Sequence, residues 1–317
     1  MNKIVAALTL AAASLGAGAQ DFPSKTVTFV VPFASGTATD TFARALGQAI
    51  SEATKQSVLV DNKPGASGMI AAQFVAKATA DGYTVLFTTN TTHAANEHLY
   101  RKLSYDPVKD FAPVALLGKG GQVLVVRNDI PAKSVGEFVA LAKKSPGKIN
   151  FASGSSSSRI AVELFQQMAG VELLHVPYKS NTLGITDMLG GTIDMMITDT
   201  TTGLPQVQAG KLRALGYSDS KRSRLAPDVP TIAEAGVPGY EMTYWFAAYA
   251  PAGTPAPVVR RLNELLVAAT RSGTAKAFFD KTGVDPATTT PEGLAAFQAI
   301  ETRKWGEIVK KANIQPE

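Results

Sequence analysis

The chain has 317 residues, no cysteine, and a formal net charge of +5 at pH 7 from 31 Lys and Arg against 26 Asp and Glu. Without cysteine there is no disulfide, no thiolate-bound zinc, no lipidated N-terminal Cys and no Cys nucleophile. The positive excess is spread along the chain; it favours a small anionic ligand and forms no Lys/Arg stripe of the kind that binds nucleic acid.

Residues 1–19 read as a signal peptide. Lys3 gives the positive start, residues 4–15 the apolar stretch, and Ala17, Gly18 and Ala19 the small-residue cleavage site. The apolar stretch is too short to span a bilayer, so the mature chain is expected to begin at Gln20 in a periplasm. What remains is long enough for two ordinary domains.

Val-Thr-Phe-Val-Val at 27–31 predicts a buried strand, closed by Pro32 and Phe33. Loop 34–39 is small and rich in hydroxyls, and Asp40 opens a run with helical apolar spacing over 41–54. Backbone N–H groups at a helix start lack intrahelical partners and lie at the positive end of the helix dipole, so a Ser/Gly/Thr loop lets an anion approach them. A second strand is predicted at 57–60, ending in the turn Asp61-Asn-Lys-Pro-Gly65. A helix follows at 69–78, opened by Ala66, Ser67 and Gly68. A third strand, at 83–88, ends in the polar loop 88–92. Strands alternating with helices predict βαβ units and a parallel sheet, whose ligands sit at the carboxyl ends of the strands. Loops 34–39 and 88–92 lie at two such ends and are expected to share one crevice.

A second unit repeats this logic. A strand at 123–126 precedes a helix at 134–144, capped by Ser134 with Glu137 in the capping-box position. A strand at 149–152 leads into Ser153, Gly154 and the run Ser155, Ser156, Ser157, Ser158, then a helix at 159–168. Strands at 173–176 and 192–197 carry Pro177-Tyr-Lys-Ser-Asn181 and Thr198-Asp-Thr-Thr-Thr202 at their ends. After a strand at 212–217 comes a Pro-rich connector at 227–240 and a strand at 244–250. Helices at 257–270, 274–282 and 291–312 follow. The expected fold is α/β in two lobes, each a βαβ sheet with helices on both faces. Lobe one takes 20–122 with 244–317, lobe two takes 123–243, and two chain crossings form a hinge.

A set of motifs in this order is similar to the tripartite tricarboxylate transporter substrate receptors, the Bug family. They are Val31-Pro-Phe33 with Gly36 and Thr39-Asp40, Asp61-Asn-Lys-Pro-Gly-Ala66 with Gly68, Asp81-Gly-Tyr83, and Asp110-Phe-Ala-Pro-Val114. His175-Val-Pro-Tyr-Lys179, Leu189-Gly-Gly191 with Asp194, Ala209-Gly-Lys-Leu-Arg-Ala-Leu215 and Ala250-Pro-Ala-Gly-Thr-Pro255 complete them. The resemblance implies a periplasmic, hinged, type II-like solute-binding protein: not an enzyme, without cofactor or metal, and expected to be a monomer. It implies a small carboxylate ligand and delivery to a membrane permease of one large and one small subunit; the alternative is a sensor feeding a two-component kinase. Carried over residue by residue, the first lobe's ligand contacts are Phe33, Ser35, Gly36, Thr37, Thr39, Thr88, Thr89 and Asn90. The second lobe's are Ser153, Gly154, Ser155, Ser156, Ser157, Ser158, Arg159, Tyr178, Ser180, Asn181, Asp199 and Thr200.

The departures from the family pattern are informative. Four serines replace a longer Gly-rich stretch, Arg159 stands where a His is usual, Ser180 where a Gly is usual, and Ala34-Ser-Gly36 replaces Pro-Gly-Gly. Each change adds donors, and an Arg fork with serine hydroxyls matches a carboxylate. A ligand with a second carboxylate reaching lobe two is therefore expected. Terephthalate, with Phe33 or Tyr178 facing its ring, comes first, and an aliphatic di- or tricarboxylate next.

Plainer readings stand beside these. The serines also fit a flexible loop, Arg159 an ion pair with Glu163 one turn on, and Tyr178 core packing. Asp40 reads as a helix cap and not a ligand contact, because a carboxylate repels an anion; Asp199 has the same sign and points to water or a ligand donor. His93, His98 and His175 show no metal-binding spacing, and His175 reads as structural. An exported serine hydrolase, with a serine of 153–158 and His175 as base, is the competing class; Phe151-Ala-Ser-Gly-Ser155 does not form a nucleophile elbow. Trp305 reads as an anchor for the last helix, and Trp245 is placed to report hinge closure.

Overall fold

In a computed structural model of the protein, residues 22–311 and 313–316 are described; the expected signal peptide lies outside them. Strands β1 (Val27–Val31), β2 (Val58–Asn62) and β3 (Thr84–Thr89) run parallel with β1 in the middle, Val27 facing Val58 and Thr28 facing Thr84. Period-two alternation divides their side chains between two cores. Phe29, Val31, Val85 and Phe87 pack with Phe42 and Leu46 of helix α1 (Ala38–Thr54). Val30 and Leu86 point the other way, to Ala71, Ala72 and Val75 of α2 (Met69–Ala76). Burial on both faces explains why β1 and β3 read as mostly apolar runs, whereas the edge strand β2 leaves Leu59 exposed. A π-helical turn, Thr91–Ala95, follows β3 and leads into the short α3 (Asn96–Leu99).

The sheet is then extended by β4 (Phe111–Arg127, 17 residues), which is shared between two halves. Its first part, Phe111 to Gly121, pairs with β9 (Thr243–Pro251), and β9 in turn pairs with β3. From Gln122 onward β4 pairs with β7 (Met195–Asp199) on one side and β8 (Leu212–Tyr217) on the other. Beyond β7 lie β5 (Asn150–Ser153) and β6 (Leu174–Pro177), while the two-residue β10 (Asp285–Pro286) adds to β4. The pairs β3–β9, β9–β4, β4–β7 and β4–β8 are antiparallel, so the sheet is mixed where a parallel one was expected. Each of these pairs involves β4, which is shared between the halves, or β9, which follows the second passage between them.

The other helices are α4 (Val135–Lys144), α5 (Ser156–Ala169), α6 (Asn181–Leu189), α7 (Thr200–Gln208), α8 (Ala256–Ala269), α9 (Gly273–Thr282) and α10 (Pro291–Lys311). Three departures from the sequence reading bear on the site. Helix α1 begins at Ala38, with Thr37 as its cap instead of Asp40. Helix α5 begins at Ser156, so most of the serine run is helix and not loop. Helices α6 and α7 were not predicted.

The two passages of the chain between the halves lie side by side, joined by Ser218. Gln122 N–H donates to Ser218 Oγ (2.7 Å), Ser218 N–H to Gln122 C=O (2.8 Å), and Met242 N–H to Ser218 C=O (2.7 Å). Trp245 is fully buried, and Trp245 Nε1 and Trp305 Nε1 both donate to Glu301 Oε2, at 3.1 and 3.4 Å. Trp245, three residues after Met242 at the return passage, therefore secures α10 to β9. No helix among the described residues is long and apolar enough to cross a membrane.

Candidate functional site

Two adjoining cavities lie at the carboxyl ends of the parallel strands. The inner cleft encloses about 510 Å³, part of it open to solvent, and the outer cavity about 830 Å³. Phe33, Gly154 and Ser155 line both and form the wall they share.

The loop after β1 is organised by Asp40, at the third position of α1. Its carboxylate accepts from Gly36 N–H (2.9 Å), Asn62 Nδ2 (2.9 Å) and Arg44 Nε (3.2 Å). Burial opposes its charge, but the Arg44 guanidinium, the Gly36 N–H and the Asn62 amide outweigh that and hold its pKa below the ordinary carboxylate value. Ser35 and Gly36 are turned toward Asp40 and exposed, so neither lines a cavity, against the expectation for them. Thr37, Ala38 and Thr39 do line the inner cleft.

At the end of β3, Thr89, Asn90 and Thr91 face the inner cleft, whereas Thr88 is turned inward to Thr92 (Oγ1–Oγ1 2.7 Å). Asn90 Oδ1 accepts from Trp245 N–H (3.4 Å). A backbone N–H can only donate, so this contact fixes the amide with Nδ2 as the donor left over. Asn90 Nδ2, Thr91 Oγ1, Gln122 Oε1 and Ser157 Oγ are buried without a hydrogen-bond partner in the protein, and all four residues line the inner cleft.

The serine run divides its labour. Ser155 caps α5, its Oγ accepting from Ser158 N–H (3.2 Å), and Ser158 Oγ accepts from Ser155 N–H (3.3 Å) to complete a capping box. Ser156 Oγ donates to Asn96 Oδ1 across to α3 (2.9 Å), Ser157 faces the inner cleft, and Ser158 Oγ donates to Asn181 Oδ1 (2.9 Å). Ser158 thus lies behind the site and not in it. Ser153 belongs to the outer cavity, where its Oγ meets His175 Nε2 at 2.7 Å.

Asn181 ties three strand ends together. Its Oδ1 also accepts from Gly154 N–H (2.8 Å), and its Nδ2 donates to Asp199 Oδ2 (3.3 Å). Asp199 caps α7 by accepting from Thr202 N–H (2.9 Å) and Thr202 Oγ1 (2.8 Å), so its carboxylate is occupied although it borders the inner cleft. Thr202 lines the cleft, while Thr200 is turned away to donate to the Thr282 carbonyl. Ser180 caps α6 and lines the inner cleft. Tyr178 lines the outer cavity; its hydroxyl donates to Asp187 Oδ2 (2.6 Å), and that bond, with burial, pushes its pKa up to about 12.

The two cavities differ in charge. The inner cleft has no Lys or Arg in its lining, whereas the outer cavity has Arg159, Lys179 and His175. Arg159 also pairs with Glu163 at 3.8 Å. The sequence reading missed Gln122, Tyr244 and Phe246 in the inner lining. They lie on strands near the junction, not on strand-end loops. Tyr244 and Phe246, two apart on β9, carried the period-two signal of a shared face.

The model of the tripartite tricarboxylate transporter family receptors matches residues 42–314. The chain belongs to that family. This receptor is 36% identical over 314 residues to the UPF0065 protein in the tcbD-tcbE intergenic region of Pseudomonas sp. strain P51, covering 97% of this chain and 93% of that protein. It is 31% identical to Protein BugT of Bordetella pertussis over 98% of both chains. Among solved structures, R. palustris Rpa4515 with adipate superposes at a TM-score of 0.90 with 36% identity, over 93% of this chain and all of that one. MatC from Rhodopseudomonas palustris with bound malate superposes at 0.85 with 32% identity, over 91% of this chain and all of that one. The periplasmic binding protein BugD superposes at 0.88 with 32% identity, over 93% of this chain and all of that one. The receptor thus shares its two-half α/β fold with solute-binding proteins, two of them holding small carboxylates.

Proposed function

We propose that this receptor works in the periplasm, capturing a small dicarboxylate and passing it to a membrane permease. The observation that carries this reading is the pairing of the cavities: an inner cleft of neutral donors opens, past Phe33 and Gly154, beside a cavity that holds Arg159 and Lys179. One carboxylate is held in the inner cleft by Asn90 Nδ2, the threonine hydroxyls and Ser157. The other lies in the outer cavity against Arg159, whose planar fork suits a carboxylate. Phe33, Tyr244 and Phe246 supply apolar walls for a flat body between the two ends, which favours terephthalate, with adipate the aliphatic counterpart. The halves 20–122 with 244–317 and 123–243 act as lobes that swing about the passages at Gln122 and Met242. A ligand touching both lobes favours the closed state.

A thermal-shift series of ligand-free mature protein with terephthalate, adipate, malate and benzoate tests this, since a ligand bound only to the native state raises Tm with concentration. Terephthalate and adipate are expected to raise Tm well above benzoate. Arg159→Ala should weaken the two diacids by about 10- to 100-fold, the scale of a hydrogen bond to a charged group, and leave benzoate unchanged. A flat response to every acid sinks the carboxylate reading. Equal weakening of benzoate and the diacids removes Arg159 from the second-anchor role.

A further inference from the structure

We infer that Gln122 binds the ligand directly, from the pivot between the two halves; this rests on the carboxylate reading of the inner cleft. Gln122 sits where β4 passes from pairing with β9 to pairing with β7 and β8. Its backbone is fixed on both sides by Ser218, through the Oγ to its N–H and the N–H to its C=O. The residue is 2% exposed, lines the inner cleft, and has its side-chain Oε1 buried without a partner in the protein. A buried amide left unpaired is costly, and it is tolerated where a ligand completes it.

The rest of the lining decides what the amide meets. Asn90 Nδ2, held by the Trp245 contact, points a donor into the same space, and the Thr91 and Ser157 hydroxyls rotate freely to donate. No Lys or Arg is present there, and the one carboxylate, Asp199, is already occupied by the Thr202 N–H and hydroxyl. These neutral donors surround an acceptor-rich group. The terminal amide of Gln122 turns over to present Nε2 and becomes a further donor to the ligand carboxylate. Its place at the pivot gives this contact a particular character. The side chain moves little when the halves swing, so the contact is present in both open and closed forms. It adds to affinity without favouring closure, unlike contacts from Ser157 or Arg159 on one half.

The test uses two variants of the full mature receptor with adipate and terephthalate. Gln122→Glu keeps the shape and places a negative charge against the ligand carboxylate; Gln122→Met keeps the length and removes the hydrogen bond. Calorimetric Kd values are expected to rise about 10- to 100-fold for Gln122→Glu and several-fold less for Gln122→Met. Ligand-free Tm should hold in Gln122→Met and fall in Gln122→Glu, which buries a carboxylate in the cleft that Asp199 also lines, and the ligand-induced contraction seen by small-angle scattering at saturation should be unchanged in Gln122→Met. Wild-type affinity in both folded variants overturns the inference alone. So does retained affinity in Gln122→Glu with loss in Gln122→Met, which would make Gln122 an acceptor. Absence of acid binding in the wild type instead overturns the carboxylate reading, and this inference falls with it.

Discussion

Replacing Gly154 by alanine should remove ligand binding and lower stability by about 3 kcal/mol, the upper end of the cost of overpacking a tightly filled site. The backbone of Gly154 presses against the start of α6. A Cβ there would lie 1.9 Å from the Ser180 carbonyl carbon and 2.1 Å from Asn181 N. Both are backbone atoms, so no rotamer change relieves the overlap, and the loops after β5 and β6 must separate. That separation breaks the Gly154 N–H bond to Asn181 Oδ1 (2.8 Å), and Asn181 also holds Ser158 and Asp199. One methyl group thus displaces the strand ends that form one wall of the inner cleft and the wall shared with the outer cavity. Thermal unfolding and a titration with adipate check this. A folded Gly154→Ala protein with native Tm and native affinity would show that the two loops are free to part.

The contact between Gly154 and Ser180 marks the limit of what the sequence conveys. β1, β3 and β9 were legible because burial on both faces leaves short runs of apolar and aromatic residues, interrupted inside β1 only by Thr28. The first half of β4 was not, because Pro113, Gly118, Gly120 and Gly121 read as breaks. In the fold, β4 is irregular between Pro113 and Ala115 and between Leu116 and Gly118. Gly121 is a close approach, where a Cβ would meet the Tyr217 ring at 2.6 Å. Helix α7 was hidden by Thr200, Thr201, Thr202 and Pro205, residues of poor helical propensity that Asp199 nonetheless caps. Chain order and hydroxyl content suffice to bring the strand-end polar loops together, and Thr37, Thr39, Thr89, Asn90, Ser155 and Asn181 line one cleft. The orientation of single side chains was not legible. Ser35, Gly36, Thr88, Ser158 and Thr200 look like their neighbours in composition but are turned to Asp40, Thr92, Asn181 or Thr282 by contacts that only the folded chain creates. Arg159 was placed near the site by sequence, yet its position in the outer cavity depends on α5 starting three residues earlier than its spacing suggested.

Asp40→Asn should cost about 2 kcal/mol at neutral pH, because it leaves two donors facing an amide where a buried carboxylate belongs. Gly36 N–H and Asn62 Nδ2 each reach an oxygen of this carboxylate at 2.9 Å, and one of the two will confront an N–H₂ group in the variant. Asn62 Nδ2 also donates to Phe33 C=O at 2.9 Å, so the disturbance reaches the wall between the cavities and affinity for adipate falls with stability. The pH dependence follows from the lowered pKa of Asp40. A carboxyl whose folded pKa lies below its unfolded one stabilises the protein fully above the unfolded value. It loses that contribution as pH falls through the folded value. With an ordinary value of 3.8, the contribution is intact at pH 5 and above and disappears on acidification below it. Asp81 and Asp106 are also held below their ordinary values and lose stabilisation in the same window, so the wild-type curve alone does not isolate Asp40. The difference between wild type and Asp40→Asn does. It should stay constant from about pH 5 to 8 and shrink as pH drops below about 4, because the asparagine has no charge to lose. Unfolding in urea across that range measures it, and a gap that stays the same down to the lowest pH would show that the Asp40 charge contributes nothing and that only the shape of the side chain matters.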